Sequence, residues 1–128
     1  MDDCLFCKIV AKQIPADLTY EDEDFLAFLD IRPMTLGHSL LIPKKHFTWM
    51  PEVPDDLIAQ AFILAKKIMA KMLKDLPCDY VQILIIGKDV PHFHIHLIPR
   101  HLEDKLPHFE NLTYEGDQKN EFLAKLKN

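Results

Sequence analysis

The chain has no apolar run approaching the ~20 residues that a membrane-spanning helix needs, so no segment is expected to cross a bilayer. It also lacks an excess of positive charge: 15 Lys and Arg stand against 20 Asp and Glu, a formal net charge of -5. A protein that coats nucleic acid needs a basic surface, so that class is disfavoured. A local pocket for a small phosphate-bearing ligand is not. The opening stretch MDDCLFCKIV has neither the basic segment nor the long apolar core of a secretory signal. Three cysteines make no disulfide framework and read as thiols or metal ligands of a cytoplasmic protein. No internal repeat, linker or low-complexity tract interrupts the chain. What remains is a globular composition, 48% hydrophobic and 27% charged, expected to form one domain over residues 1–128.

Cys4 to Ala11 reads as a short helix closed by the Ile14-Pro15 turn. Leu18–Glu21 and Phe25–Leu29 alternate as strands, joined by the polar EDED as a hairpin turn. Pro33 forces a loop over Ile31–Thr35, and Gly37–Ile42 gives a third strand stopped by Pro43. The one long helix is expected over Pro54–Leu73. Asp55 and Asp56 suit its first turn, and lysines crowd its later turns. Leu57, Ile58, Ala61, Phe62, Ala65, Ile68, Met69, Met72 and Leu73 recur at helical spacing, which reads as core packing with a solvated lysine face. Tyr80–Ile86 and Phe93–Ile98 read as an antiparallel pair across the turn Gly87–Pro91, and a last helix is expected over Asp117–Leu126. The sum is an α+β fold: a twisted antiparallel sheet with one main helix.

Within VPHFHIHLIPR, His92, His94 and His96 occupy every second position. Alternate residues of an extended chain share a face, so three imidazoles point one way and Phe93, Ile95 and Leu97 the other. Exposed polar residues on an edge strand are the plainest explanation. A metal cage is the second, but residues four apart on a strand are separated by ~13 Å, and a Zn–N bond is only ~2.0–2.1 Å. One ion could hardly gather both His92 and His96. The third is covalent catalysis. A neutral imidazole attacks phosphorus when its other nitrogen is held as a donor, and His94 is the best flanked of the three. Cys4-x-x-Cys7 by itself fits a redox pair or two buried thiols as well as half of a zinc site.

HFHIHLI follows the pattern His-φ-His-φ-His-φ-φ and resembles the signature of the histidine triad (HIT) superfamily of nucleotide-binding proteins. The stretch CLFCKIVAKQIPADLTYEDEDFLAFLDIRPMTLGHSLLIPKKH resembles the N-terminal half of its Hint-like branch, so the likeness covers roughly residues 4–100. The tail, 101–128, lies outside it. The resemblance implies a homodimer that binds a purine nucleoside monophosphate group. It also implies hydrolysis or transfer of that group from phosphoramidates, acyl-adenylates or dinucleoside polyphosphates. By resemblance His94 is the nucleophile, His96 the donor to a phosphate oxygen and His38 a supporting histidine. Phe6, Phe28, Asp30, Ile31 and Leu40 match positions that line the base and ribose pocket; plain core is the alternative for the apolar ones. Gly87, Lys88 and Asp89 can offer backbone N–H groups to phosphate. The same resemblance implies a structural Zn²⁺ held by Cys4, Cys7, His46 and His92, with Cys78 left as a buried thiol.

The sequence also departs from the family. Ile85 or Ile86 stands where an asparagine is usual, and Lys88 where a glutamine helps place the scissile phosphate. These departures keep a rival open: a zinc-stabilised nucleotide-binding or interaction module without efficient turnover. A hydrolase with catalytic zinc on the triad is a third reading.

Overall fold

A computed structural model describes residues 3–127; residues 1, 2 and 128 of the expected domain lie outside them. The elements run α1 (Leu5–Val10), β1 (Leu18–Glu21), β2 (Phe25–Leu29), β3 (Ser39–Pro43), α2 (Asp55–Asp75), β4 (Tyr80–Leu84), β5 (Ile95–Arg100) and α3 (Gln118–Leu126), with a 3₁₀ turn at Met50–Glu52. The strands form one antiparallel sheet in the order β1-β2-β3-β5-β4. The α+β expectation holds: one dominant helix packs on the sheet, with two minor helices beside it. Among the described residues, no helix is long and apolar enough to cross a membrane.

Alternation divides the core into two layers. Phe25, Ala27, Leu41, Phe93, Ile95 and Leu97 face α2, where they meet Ala61, Leu64, Ala65 and Met72. Leu26, Phe28, Leu40 and Ile42 face the other way and close on Phe6 and Ile9 of α1. The histidines project on the α1 side. Helical spacing located α2 but misassigned part of its face: Leu64 is buried, whereas Phe62 and Leu73 are exposed.

Four strand ends shift by two residues from the periodicity. β3 starts at Ser39 because Gly37 turns the chain at φ +94° and the His38 N–H bonds back to Thr35 O at 3.1 Å. β4 stops at Leu84, two residues short of the apolar run. β5 correspondingly starts at Ile95, because residues 92–94 attach to another segment: Phe93 N–H donates to Phe47 O at 2.6 Å. At its far end β5 continues through Pro99, which a central strand normally excludes. Pro99 lies past the last β3 pair, Ser39↔Leu97, and its carbonyl accepts from the Thr35 hydroxyl at 2.7 Å. A strand residue's N and C=O point to the same side. The missing N–H therefore faces the side where β3 has already ended.

Candidate functional site

α1 and the β3–α2 loop bring four metal-ligand side chains to one end of the histidine row. Cys4, Cys7, His46 and His92 present one donor atom each, all within 4.8 Å of one another. Cys4 caps α1 by accepting the Cys7 N–H at 3.4 Å. Its sulfur lies 3.4 Å from His92 Nδ1, and the Cys7 sulfur lies 3.2 Å from His46 Nδ1 and 3.5 Å from His92 Nδ1. Tetrahedral zinc with ordinary bond lengths would hold sulfur and nitrogen about 3.6 Å apart. The cluster therefore closes on a metal ion with only small shifts.

The surroundings fit the same chemistry. His92 Nε2 lies 2.8 Å from Pro43 O, which accepts its proton and leaves Nδ1 as a lone pair facing the sulfurs. Burial holds His92 below the usual imidazole range, favouring this neutral form. Burial pushes the Cys7 thiol up to about 11, and Cys4 adds to it by hydrogen bond and charge. A cation amid these groups would reverse that balance in favour of thiolate. Cys78 stands apart, half-buried, with its sulfur 3.8 Å from Met72 O.

The remaining triad members hold opposite tautomers. His94 Nδ1 lies 2.7 Å from the carbonyl of His92, which can only accept, so Nδ1 carries the proton. His94 Nε2 is then a lone pair. It has no protein hydrogen bond, yet no unpartnered side-chain nitrogen among the described residues is sealed from solvent. The ring itself is only 5% exposed, wedged edge-on against Phe6 at 5.0 Å and beside His96 at 4.8 Å between centroids. It is fixed, and one nitrogen remains open.

His96 receives the reverse assignment through a relay that begins on the main chain. The Met34 N–H donates to His38 Nδ1 at 3.1 Å, so His38 carries its proton on Nε2. That nitrogen lies 2.9 Å from His96 Nδ1, which must accept. His96 is left with Nε2–H, a donor, next to the bare Nε2 of His94. The carboxylate of Asp30 stands 3.6 Å from His38 Nε2, and its other oxygen accepts from Arg32 N–H at 2.8 Å. Burial lowers the pKa of both His38 and His94. His96 is driven to about 4 by burial, then by His94 and His38. All three are neutral at pH 7, as an attacking lone pair requires.

The expected pocket residues spread over more than one environment. Phe6 and Phe28 meet edge to face at 5.5 Å and, with Leu40, belong to the buried layer under α1. Ile31 is 83% exposed on the loop after Asp30. Lys88 and Asp89 are exposed in the turn before the triad. Gly87 is buried there, at φ +75°, against Trp49. Trp49 was not among the expected residues, although it is the chain's single tryptophan. The Met34 N–H and the carbonyls of Pro43 and His92 were also missed, because main-chain groups leave no mark in side-chain patterns. A groove of about 760 Å³ runs between α2 and β1–β3 on the opposite face of the sheet. Its lining includes none of these histidines.

An α+β sheet that carries a fixed row of neutral imidazoles over a Cys₂His₂ cluster defines a histidine-triad type of protein. The HIT domain family model matches residues 11–103, and the chain belongs to the HIT family. It is 44% identical over 106 residues to an uncharacterised HIT-like protein of Methanocaldococcus jannaschii, covering 79% of this chain and 81% of that one. It is 38% identical over 102 residues to an adenosine 5′-monophosphoramidase of Saccharomyces cerevisiae, covering 76% and 62%. Among solved structures it resembles a Zn-bound histidine triad family protein from Mycobacterium smegmatis, with TM-score 0.78, 36% identity and coverage of 86% and 84%. Nucleotide-binding and hydrolase character accompanies the family.

Proposed function

We propose that this chain, as a Hint-like member, binds the nucleoside monophosphate part of a purine phosphoramidate or dinucleoside polyphosphate and transfers it to water through His94. One observation carries the reading: adjacent histidines hold opposite tautomers, a bare Nε2 on His94 and an Nε2–H on His96. His94 Nε2 attacks the α-phosphorus, and the bond from phosphorus to the leaving amine or phosphate breaks. A leaving amine departs with a proton taken from solvent. His96 Nε2–H bonds a non-bridging oxygen as charge gathers there. Water then attacks the same phosphorus and gives up a proton to solvent, the P–N bond to His94 breaks with its electron pair returning to Nε2, and the monophosphate leaves as the ring returns to its neutral form.

His38 keeps His96 in the donating tautomer. Asp30 accepts the ribose hydroxyls through the oxygen not used by Arg32. Phe6, Phe28, Leu40 and Ile31 meet the base, and the N–H groups of Gly87, Lys88 and Asp89 meet phosphate. Cys4, Cys7, His46 and His92 hold a structural Zn²⁺, which ties α1 and the 43–47 segment to the foot of the triad. Chemistry stays with His94 and His96. The fit of the four donors and the zinc-bound M. smegmatis relative support this assignment. A homodimer is part of the reading, supported by the open outer edge of β4 and by the exposed Phe62 and Leu73 on α2.

Turnover of adenosine 5′-phosphoramidate tests the proposal. The wild type is expected to release adenosine monophosphate and His94→Ala to fall to background while still binding it. Equal release by both proteins would remove His94 as nucleophile. A second reading, a binding module without efficient turnover, is favoured by Ile85, Ile86 and Lys88 standing where the family has asparagine and glutamine. It predicts calorimetric binding of adenosine monophosphate with no hydrolysis of any adenylate.

A further inference from the structure

One helix does not cover the α2 side of this sheet. Five strands ~4.8 Å apart span about 20 Å, whereas a helix with its side chains is ~10 Å across. α2 packs mainly on β3, β4 and β5 and buries Phe25 and Ala27 of β2, whereas β1 and the Leu29 end of β2 stay exposed. The groove of about 760 Å³ lies there, walled by Phe25, Leu29, Ile63, Leu64, Ile68 and Met72. Leu29 and Ile63 are exposed within it.

The chain carries a helix that lacks a seat. Every residue from Lys105 to Lys127 is exposed, yet the segment is rich in large apolar groups, including Phe109, Leu112 and Tyr114. α3 sets Phe122, Leu123 and Leu126 at i, i+1 and i+4, one stripe of a helix surface. Tyr114 folds onto Phe122, ring centroids 6.2 Å apart, so the tail forms a hook. It leaves β5 beside the groove: a Cβ on Gly37 would lie 3.0 Å from Leu76 Cδ1 and 3.4 Å from Pro99 Cγ, and Gly37 and Leu76 both line the groove. The tail then turns away, and no wall of the groove comes from residues 100–127.

We propose that α3 of one copy of this chain lies in the α2/β1–β2 groove of a second copy, reciprocally, as an exchanged arm. α3 itself carries Lys119 and Lys125 against Glu121, so the charge complementarity lies in the segment that leads into it. The segment before α3 carries Glu103, Asp104, Glu110, Glu115 and Asp117 against Lys105. The receiving helix offers Lys66, Lys67, Lys71 and Lys74. On the rim, Lys71 is held by Asp75 at 2.8 Å, and Asp22 accepts from the Tyr20 hydroxyl at 2.7 Å. Lys67 has no carboxylate partner among the described residues and stands ready for one from the arm. Nothing in this docking involves the histidines, so its failure would leave the nucleotide reading intact.

The test uses the full chain with Phe122 replaced by p-benzoylphenylalanine. Equal amounts of isotopically heavy and light protein are mixed, allowed to exchange, irradiated and mapped by mass spectrometry. Cross-links from position 122 are expected on α2 and β1–β2, near Ile63, Ile68 and Leu29, with about half joining a heavy to a light chain, as random twofold pairing requires. Ile63→Glu, at an exposed position and checked by circular dichroism for an unchanged fold, is expected to bring these cross-links to background. Lys67→Glu is expected to reduce them. Cross-links confined to one chain, attachment elsewhere, absence of any, or persistence at full yield in Ile63→Glu would each overturn the proposal.

Discussion

The proton positions of single histidines decide what this site can do. His38 has one role that touches no ligand: it passes the direction of the Met34 N–H on to His96. His38→Ala removes that constraint, and phosphoramidate turnover is expected to fall by one to two orders of magnitude with little change in monophosphate affinity. A parallel loss of binding and turnover would mean that His38 only shapes the pocket. The depressed pKa values have a consequence for stability. His96 binds protons at about 4 in the fold and at ~6.5 when unfolded, and His38 is lowered in the same direction. Between those values the unfolded chain takes up more protons, so stability is fully present above pH 6.5 and drains away as the pH falls toward 4. Melting temperature measured over this window should decline, and His96→Gln should decline less steeply. An identical slope in the variant would contradict the shift. At this scale the residue types of the site were legible, because alternation alone put His92, His94 and His96 on one face. The tautomers were not legible, since they are dictated by the main-chain groups of Met34, Pro43 and His92.

Elements meet the site through turns and the Cys4, Cys7, His46 and His92 cluster. The Gly87 turn links β4 to the triad at φ +75°, a region that costs a residue with a Cβ ~1–2 kcal/mol. A Cβ there would also come within 3.3 Å of the Trp49 ring. Gly87→Ala is therefore expected to destabilise by about 1–2 kcal/mol in chemical denaturation and to change tryptophan fluorescence. No change in either would show that the turn relaxes freely. The zinc assignment acts on elements as well, joining α1 and the segment after β3 to residue 92. Chelation or Cys4→Ser should lower the melting temperature and loosen α1 in hydrogen exchange. Residual folded protein should keep its turnover per molecule. Loss of turnover without loss of stability would point to catalytic metal instead. Most elements could be read from the sequence because their polar and apolar residues keep a strict period, as in Phe25–Leu29. The misplaced boundaries of β4 and β5 arose where an apolar run, Leu84–Ile86, outlasts the hydrogen-bonding partner available to it.

Over the whole molecule, the sheet separates two kinds of surface. The α1 side carries the histidine row, while the α2 side carries the apolar groove, so that groove and the histidine row lie on opposite faces. This arrangement was only half legible. The α+β class followed from a meander of short strands around one long amphipathic helix, whose lysine face was also correctly read as solvated. The groove beside β1 was not visible, since it depends on how far α2 reaches across the sheet rather than on any pattern within a strand. Family resemblance extended to about residue 100 and gave no account of the tail, where Phe109, Leu112, Tyr114 and Leu126 all stand exposed.

The central claim is that His94 carries the nucleotidyl group during turnover. Intact-mass spectrometry tests it most directly, on protein mixed with excess adenosine 5′-phosphoramidate and quenched under alkaline denaturing conditions that spare a phosphorus–imidazole bond. The account predicts a transient adduct of one adenylyl group, mapped to His94 and missing from His94→Ala. Steady turnover with no adduct at any time, or an adduct on another residue, would contradict it.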